Sequence, residues 1–283
     1  MEDCWKNRRP VNRGVHDKLL ELFKLYLVVG GMPAAVQRYL DTNNISIVVA
    51  EQRAILREYR KDASKYDHQN KLKIEKVLDL IPEELRKENK RFFISDLKQG
   101  GRFERLEDNF MWLEAAGIGL CINSASDPRI PLRLSRESSF FKLYMNDVGL
   151  LAAMYSDGIQ LKILSGDTEI NFGSVYENFV AQELHAHGFP LYYFSSRKTG
   201  EVDFLVEHDG SVKPIEVKSG RHYKSHPALS NLLGNAEYGI DKAVVLSNAN
   251  YSNDEKIEYL PIYFIMFLQR DNLSEDMIYK LPV

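Results

Sequence analysis

Apolar side chains recur with helical spacing along the front of the chain. A strongly apolar helix is predicted from His16 on, and the Gly-Gly pair at 30–31 ends it before Pro33 starts a second helix. A third helix is predicted over about 45–59 and a fourth over about 71–80. The fourth is expected to end before Pro82, because the residue before a proline avoids the helical conformation.

The middle of the chain has the element order of a winged helix. A short helix after Ser95 and a helix over 102–116 precede two predicted strands, at 118–122 and 130–134. The turn between the strands contains Asp127 and Pro128. In winged-helix proteins the second helix and the wing commonly contact DNA.

Three arginines of this region are candidate phosphate contacts: Arg102, Arg105 and Arg129. The alternative is that they pair with neighbouring acidic side chains, namely Glu104, Glu107 and Asp127. Many winged helices serve only to dock proteins, so the sequence leaves both interpretations open.

Period-2 and period-3.6 patterns alternate in the last part of the chain, which predicts an α/β (α+β) sandwich. Helices are predicted over 172–187 and 227–233, and strands over 190–195, 201–207, 212–219, 242–247 and 259–267. The predicted domains are a helical lid-like region (1–70), a winged-helix-like domain (71–160) and the α/β sandwich (161–283).

The composition is that of a globular protein, with 44% hydrophobic and 27% charged residues among 283. Cys4 and Cys121 are too few for a disulfide framework or a zinc ribbon, which favours a reducing compartment. The apolar N-terminal stretch is interrupted by Glu21 and Lys24, and no run approaches the roughly 20 residues of a membrane span. We therefore expect a cytoplasmic protein with no membrane partner.

The charge is divided unevenly along the chain. Residues 1–160 carry 26 basic and 23 acidic side chains, whereas residues 161–283 carry 11 basic and 17 acidic ones. The mildly basic front half fits either a polyanionic partner or an ordinary solvated surface. The acidic rear half favours a role other than cleavage, because a nuclease cleft must attract phosphates.

An Asp-Gly pair at 209–210 predicts a tight hairpin between two of the strands. The resulting register places Asp203 opposite Glu216 and Glu201 opposite Lys218. Since side chains alternate between the two faces of a strand, these four share one face of the sheet.

Opposed carboxylates destabilise a hairpin unless something lies between them, and a hard cation such as Mg²⁺ takes carboxylate ligands. Asp203 and Glu216 are therefore candidate metal ligands. Lys218 is a candidate catalytic base or electrostatic aid, and Glu177, on the preceding helix, is a candidate further ligand or base. The alternative is a solvated strand face on which Glu201 and Lys218 make an ordinary ion pair.

These residues also resemble a known family of folds. The segments VYENFV (175–180), EVDF (201–204) and IEVKS (215–219) resemble the PD-(D/E)xK nuclease-like fold. The resemblance implies that the matching Asp203, Glu216 and Lys218 form a metal-dependent phosphodiesterase site.

With GGMP at 30–33 and KLYMNDVGLL at 142–151, the chain from His16 on is similar to the C-terminal part of AAA+ ATPases that carry domain of unknown function 4143. The phosphate loop G-x-x-x-x-G-K-[ST] of such ATPases does not occur here, so ATP hydrolysis by this chain is not expected. The chain is expected to be a fragment or a stand-alone version, with an ATPase partner or a missing N-terminal ATPase domain.

Two functions are compatible with the predicted register of Asp203, Glu216 and Lys218 and with the resemblance. One is Mg²⁺-dependent cleavage of DNA, and the other is a non-catalytic module that recognises nucleic acid or a protein within an AAA+ ATPase system. Arg197 and Lys198, just before the strand that carries Asp203, are candidate phosphate contacts, or else residues of a solvated turn.

Overall fold

The computed structural model describes residues 1–66, 71–86, 104–167 and 172–271. Its helices are α1 (Glu2–Lys6), α2 (Arg13–Val29), α3 (Pro33–Thr42), α4 (Ile45–Tyr66), α5 (Lys71–Arg86), α6 (Glu104–Ala115), α7 (Val148–Met154), α8 (Ile159–Ser165), α9 (Gly173–Ala186) and α10 (Pro227–Gly234). Its strands are β1 (Gly119–Ala125), β2 (Arg136–Met145), β3 (Tyr192–Ser196), β4 (Gly200–His208), β5 (Ser211–Lys218), β6 (Ala243–Ser247), β7 (Ser252–Asp254) and β8 (Ile257–Pro261).

The helical front of the chain confirms the two helices predicted on either side of the Gly-Gly pair, which are α2 and α3. The predicted end of the fourth helix is wrong, because α5 continues through Pro82. Leu78, Ile81 and Leu85 are buried along one face of α5. Pro82 has no N–H and cannot donate a helical hydrogen bond, and the packing of these three side chains compensates for that loss.

Among the described residues, no single helix is both long enough and apolar enough to cross a bilayer. The pair α2 and α3 meets that measure only together, and the two helices are bent by 118° at their junction.

The strands form one mixed sheet in the order β2-β1-β3-β4-β5-β6-β8-β7. Three neighbouring pairs are parallel (β1–β3, β5–β6 and β6–β8), and the other four are antiparallel. Phe204 of β4 packs in one large core with apolar residues of α9. The next residue, Leu205, packs in a second core with apolar residues of α10. Because adjacent residues of a strand face opposite sides, the sheet lies between two layers, as the predicted α/β sandwich requires.

The second strand predicted for a wing is wrong. Residues 132–135 form a 3₁₀ helix, and the strand begins only at Arg136. Pro131 has no N–H to donate to a ladder, which disfavours a strand at this point. The first predicted strand corresponds to β1, which also pairs with β3, so β1 and β2 form an edge of the main sheet. The short helix predicted after Ser95 lies outside the described residues.

The last predicted strand, over 259–267, is wrong in its second half. Strand β8 ends at Pro261, and a 3₁₀ helix follows over Ile262–Phe267. Residues 262–265 are all buried, and such a continuous apolar run does not distinguish a strand from a helix.

The division into three domains stays a prediction. The predicted boundary between 160 and 161 crosses the sheet, because β1 and β2 precede it and the other six strands follow it.

The segments GGMP (30–33) and KLYMNDVGLL (142–151) meet in the structure. Asp147 is the N-cap of α7, and its carboxylate accepts the N–H of Leu150 at 2.9 Å. The other oxygen of Asp147 accepts the N–H of Gly31 at 2.7 Å. Burial raises the pKa of Asp147, although the N–H donors of Gly31, Leu150 and Gly149 partly offset the rise. The carboxylate of Asp147 therefore links the two segments by hydrogen bonds.

Candidate functional site

The hairpin of β4 and β5 has the predicted register. Its backbone ladder runs from His208 paired with Ser211 to Phe204 paired with Ile215. The turn residues Asp209 and Gly210 both have positive φ, at 53° and 68°, as a tight two-residue turn requires. The sequence prediction for this turn is confirmed.

The ladder between β4 and β5 ends one residue before Asp203. There Asp203 Oδ2 accepts the backbone N–H of Val217 at 2.8 Å, so a side chain takes the place of a backbone partner. On its other side β4 carries a β-bulge, because Val202 pairs with Phe194 but Leu205 pairs with Tyr192. Bulges redirect side chains and are common beside active sites.

Glu216 and Lys218 make an ion pair on β5, with Lys218 Nζ 2.7 Å from Glu216 Oε1. Glu216 is only 6% exposed, and its other oxygen, Oε2, is buried without a hydrogen-bond partner among the described residues. An unsatisfied buried carboxylate oxygen costs free energy unless a ligand binds it.

Lys218 is shifted toward its charged form. Burial alone would lower its pKa, but the charge of Glu216, and after it those of Asp203 and Glu177, outweigh that effect and raise the pKa above the usual value. The side chain is therefore protonated throughout the neutral pH range.

Glu177, on α9, is buried beside the same group of residues. The hydroxyl of Tyr144, on β2, donates to Glu177 Oε2 at 2.8 Å. Burial and then the charges of Glu177 and Asp203 raise the pKa of Tyr144 well above its usual value. The phenol is therefore a neutral hydrogen-bond donor at every physiological pH.

Sequence reasoning missed the role of Lys142. This lysine, on β2, is fully buried, and its Nζ lies 2.6 Å from Glu201 Oε1 and 4.7 Å from the ring centroid of Tyr193. The alternative of a solvated strand face paired Glu201 with Lys218, whereas in the structure Glu201 pairs with Lys142 and Lys218 pairs with Glu216. Its place inside the apolar segment FFKLYM (140–145) could have predicted Lys142 as a buried lysine that needs a charged partner.

We call the six charged residues of this site the acid cluster: Glu177, Glu201, Asp203, Glu216, Lys142 and Lys218. Four carboxylates meet two ammonium groups, so the fully ionised acid cluster has an excess of two negative charges. The atoms of its acidic side chains that can bind a metal are all oxygens, which hard divalent cations prefer. The excess charge, the oxygen donors and the unsatisfied Glu216 Oε2 fit a Mg²⁺ ion.

A cation would bind to a small number of these carboxylates. Within the described ranges, the group of three acidic or histidine side chains whose ligand atoms lie within 4.8 Å of one another is His208, Asp209 and Asp271, at the hairpin turn. The acid cluster does not form such a trio. Two carboxylates suffice for Mg²⁺, which usually keeps several of its waters.

Three of the residues predicted to bind nucleic acid are exposed, in the loop after β1 and in the turn after β3. Arg129 is exposed, and its Nε lies 2.9 Å from both carboxylate oxygens of Asp127, as the pairing alternative predicts. Arg197 and Lys198 are exposed in the turn between β3 and β4. Arg102 lies outside the described residues, as does the side chain of Arg105, on α6.

Comparison with known families divides the chain into two matched segments. Residues 20–162, just over half of the chain, match the model described as domain of unknown function (DUF8612). Residues 172–265 match the model described as domain of unknown function (DUF4143). The predicted resemblance to the latter is confirmed for this segment, but it was expected to extend from His16. No curated protein and no solved structure matches the chain.

Proposed function

We propose that this chain, which belongs to the family of domain of unknown function DUF8612 and carries a DUF4143 segment behind it, cleaves phosphodiester bonds in DNA with the help of Mg²⁺. One observation carries the proposal. Glu216 keeps a buried, unsatisfied carboxylate oxygen where the β4–β5 ladder ends and Asp203 turns toward β5. The resemblance of these strands to the PD-(D/E)xK nuclease-like fold supports it.

Each residue of the acid cluster then has a role that its contacts favour. Asp203 and Glu216 would hold the Mg²⁺ ion, which when bound polarises a phosphoryl oxygen. Lys218, whose ammonium lies 2.7 Å from Glu216 Oε1, would donate to a phosphate oxygen and stabilise the charge that develops there. Glu177 is oriented by the Tyr144 hydroxyl and adds negative charge beside the ion.

The cellular location and the ATPase partner belong to the same proposal. We place the chain in the cytoplasm, where the free thiols of Cys4 and Cys121 are compatible with reducing conditions. An AAA+ ATPase, as a partner or as a further domain, would supply ATP hydrolysis, since this chain has no phosphate-loop motif.

A cleavage assay tests the proposed function. Duplex, branched and single-stranded DNA are incubated with the protein and either Mg²⁺ or Mn²⁺, with EDTA as the control. Cleavage of at least one substrate that depends on the metal is expected. Absence of cleavage from all three substrates in both metals contradicts the proposal.

The charge of Lys218 predicts different outcomes for two substitutions. Lys218→Arg keeps a permanent positive charge, so cleavage is expected to stay within about tenfold of the parent protein. Lys218→Met removes the charge and is expected to lower the cleavage rate by roughly 10²- to 10³-fold. Initial rates on one DNA substrate at saturating Mg²⁺ compare the two. An equal loss in both variants, with metal binding intact, would favour a base over an electrostatic role.

A second candidate function is non-catalytic recognition of nucleic acid or of a partner protein. A groove of about 330 Å³ favours it, because Arg53, Arg57 and Arg60 of α4 line it together with Asp79 of α5. Arg60 pairs with Asp79 at 2.5 Å and Arg53 pairs with Asp157 at 2.7 Å, so the three arginines exceed these two acidic partners by one positive charge. A titration that shows salt-sensitive DNA binding without turnover identifies this function.

A further inference from the structure

Lys142 is an unusual residue for the place it occupies. Its side chain is fully buried, and charged side chains are almost never fully buried unless they are paired. The Glu201 carboxylate provides that pairing at 2.6 Å, and the face of the Tyr193 ring lies 4.7 Å from the ammonium nitrogen. A buried ion pair is weak evidence for stability, since apolar residues of similar volume often stabilise a protein as well or better. The burial of Lys142 therefore calls for an explanation other than the stability of the fold.

The position of Lys142 connects it to the acid cluster rather than to the rest of the core. Glu201 lies on β4 two residues before Asp203, so the ion pair ends beside a proposed metal ligand. Tyr144, two residues after Lys142 on β2, binds the carboxylate of Glu177. Strand β2 thus supplies contacts to two of the four carboxylates: Glu201 on β4, beyond β1 and β3 in the sheet, and Glu177 on α9.

We infer that Lys142 limits the acid cluster to a single divalent cation by neutralising Glu201. This inference rests on the proposed function, because it assumes that the cluster holds a metal ion. With Lys142 present, the excess of two negative charges equals the charge of one Mg²⁺ ion. Without Lys142, the excess of negative charge rises to three. A second cation, or a more tightly held first one, follows from that change.

Calorimetric titration with Mn²⁺ tests the inference without measuring cleavage. The parent protein is expected to bind one ion, and Lys142→Met to bind two, or to bind one about tenfold or more tightly. The double variant Lys142→Met with Glu201→Gln restores the original charge excess and is expected to return to one ion at the parent affinity. Lys242→Met, at an exposed position, is the control for loss of a lysine and should match the parent protein.

Each outcome separates the inference from the proposed function. If the parent protein binds no Mn²⁺, the metal site itself fails. If the parent binds one ion and Lys142→Met binds it with the same stoichiometry and affinity, only the role of Lys142 is overturned. Should Lys142→Met fail to fold, Glu201→Gln alone decides: it lowers the charge excess to one, so binding about tenfold weaker is expected and unchanged binding overturns the inference.

Discussion

An Asp203→Asn variant is expected to lose Mg²⁺-dependent DNA cleavage by about a thousandfold or more while keeping its fold. The substitution removes the negative charge that would bind the metal. The amide oxygen of Asn can still accept the N–H of Val217, which Asp203 accepts at 2.8 Å, so the end of the β4–β5 ladder keeps its hydrogen bond. Loss of activity therefore reports on the charge of the site and not on its folding.

Initial cleavage rates, together with circular dichroism and thermal unfolding, measure this effect. Glu216→Gln should behave in the same way, because it carries the second proposed ligand. Asp241→Asn, at an exposed position outside the acid cluster, is the matched control and should cleave at the parent rate. Cleavage by Asp203→Asn within about threefold of the parent rate contradicts the assigned site.

Gly149→Ala is expected to lower the free energy of unfolding by about 2–4 kcal/mol. A Cβ atom at this position would lie 2.6 Å from Gln52 Nε2, 2.7 Å from the backbone N of Gly30 and 2.7 Å from the carbonyl carbon of Val29. Gln52 is not free to move away, because its amide donates to the carbonyls of Val28 and Val29 at 2.9 Å each. The clash therefore separates the segment that follows β2 from the junction of α2 and α3.

Urea unfolding at neutral pH measures the loss. Gly234→Ala, at the end of α10, is the matched control, because a Cβ there meets no atom within 4 Å. That change should alter the free energy of unfolding by less than about 1 kcal/mol, since alanine is at least as good a helix former as glycine. A similar small effect for Gly149→Ala would show that the two segments do not depend on this close approach.

The hairpin shows what local sequence is able to predict. The turn at 209–210 specifies the register of β4 and β5 by itself, because a two-residue turn leaves only one way to align the strands. The ladder that this turn specifies reaches Phe204 and Ile215, one residue short of Asp203 and Glu216. The β-bulge in β4 does not follow from the turn, since it depends on how β3 pairs with β4.

The pair of Lys142 and Glu201 shows why the rest of the site could not be predicted. The two residues lie 59 positions apart in the chain and on strands separated by β1 and β3. The predicted wing assigned β1 to a separate domain, which removed β2 and Lys142 from the neighbourhood of the acid cluster. Element order alone does not reveal that β1 also pairs with β3, because sheet pairing at long range is a tertiary contact.

A crystal soaked in Mn²⁺ and measured at the manganese absorption edge shows whether Asp203 and Glu216 bind a metal ion. We expect an anomalous peak about 2.1 Å from a carboxylate oxygen of Asp203 and from one of Glu216. A crystal with Mn²⁺ at the hairpin turn, beside His208, Asp209 and Asp271, and none between Asp203 and Glu216 would contradict this expectation.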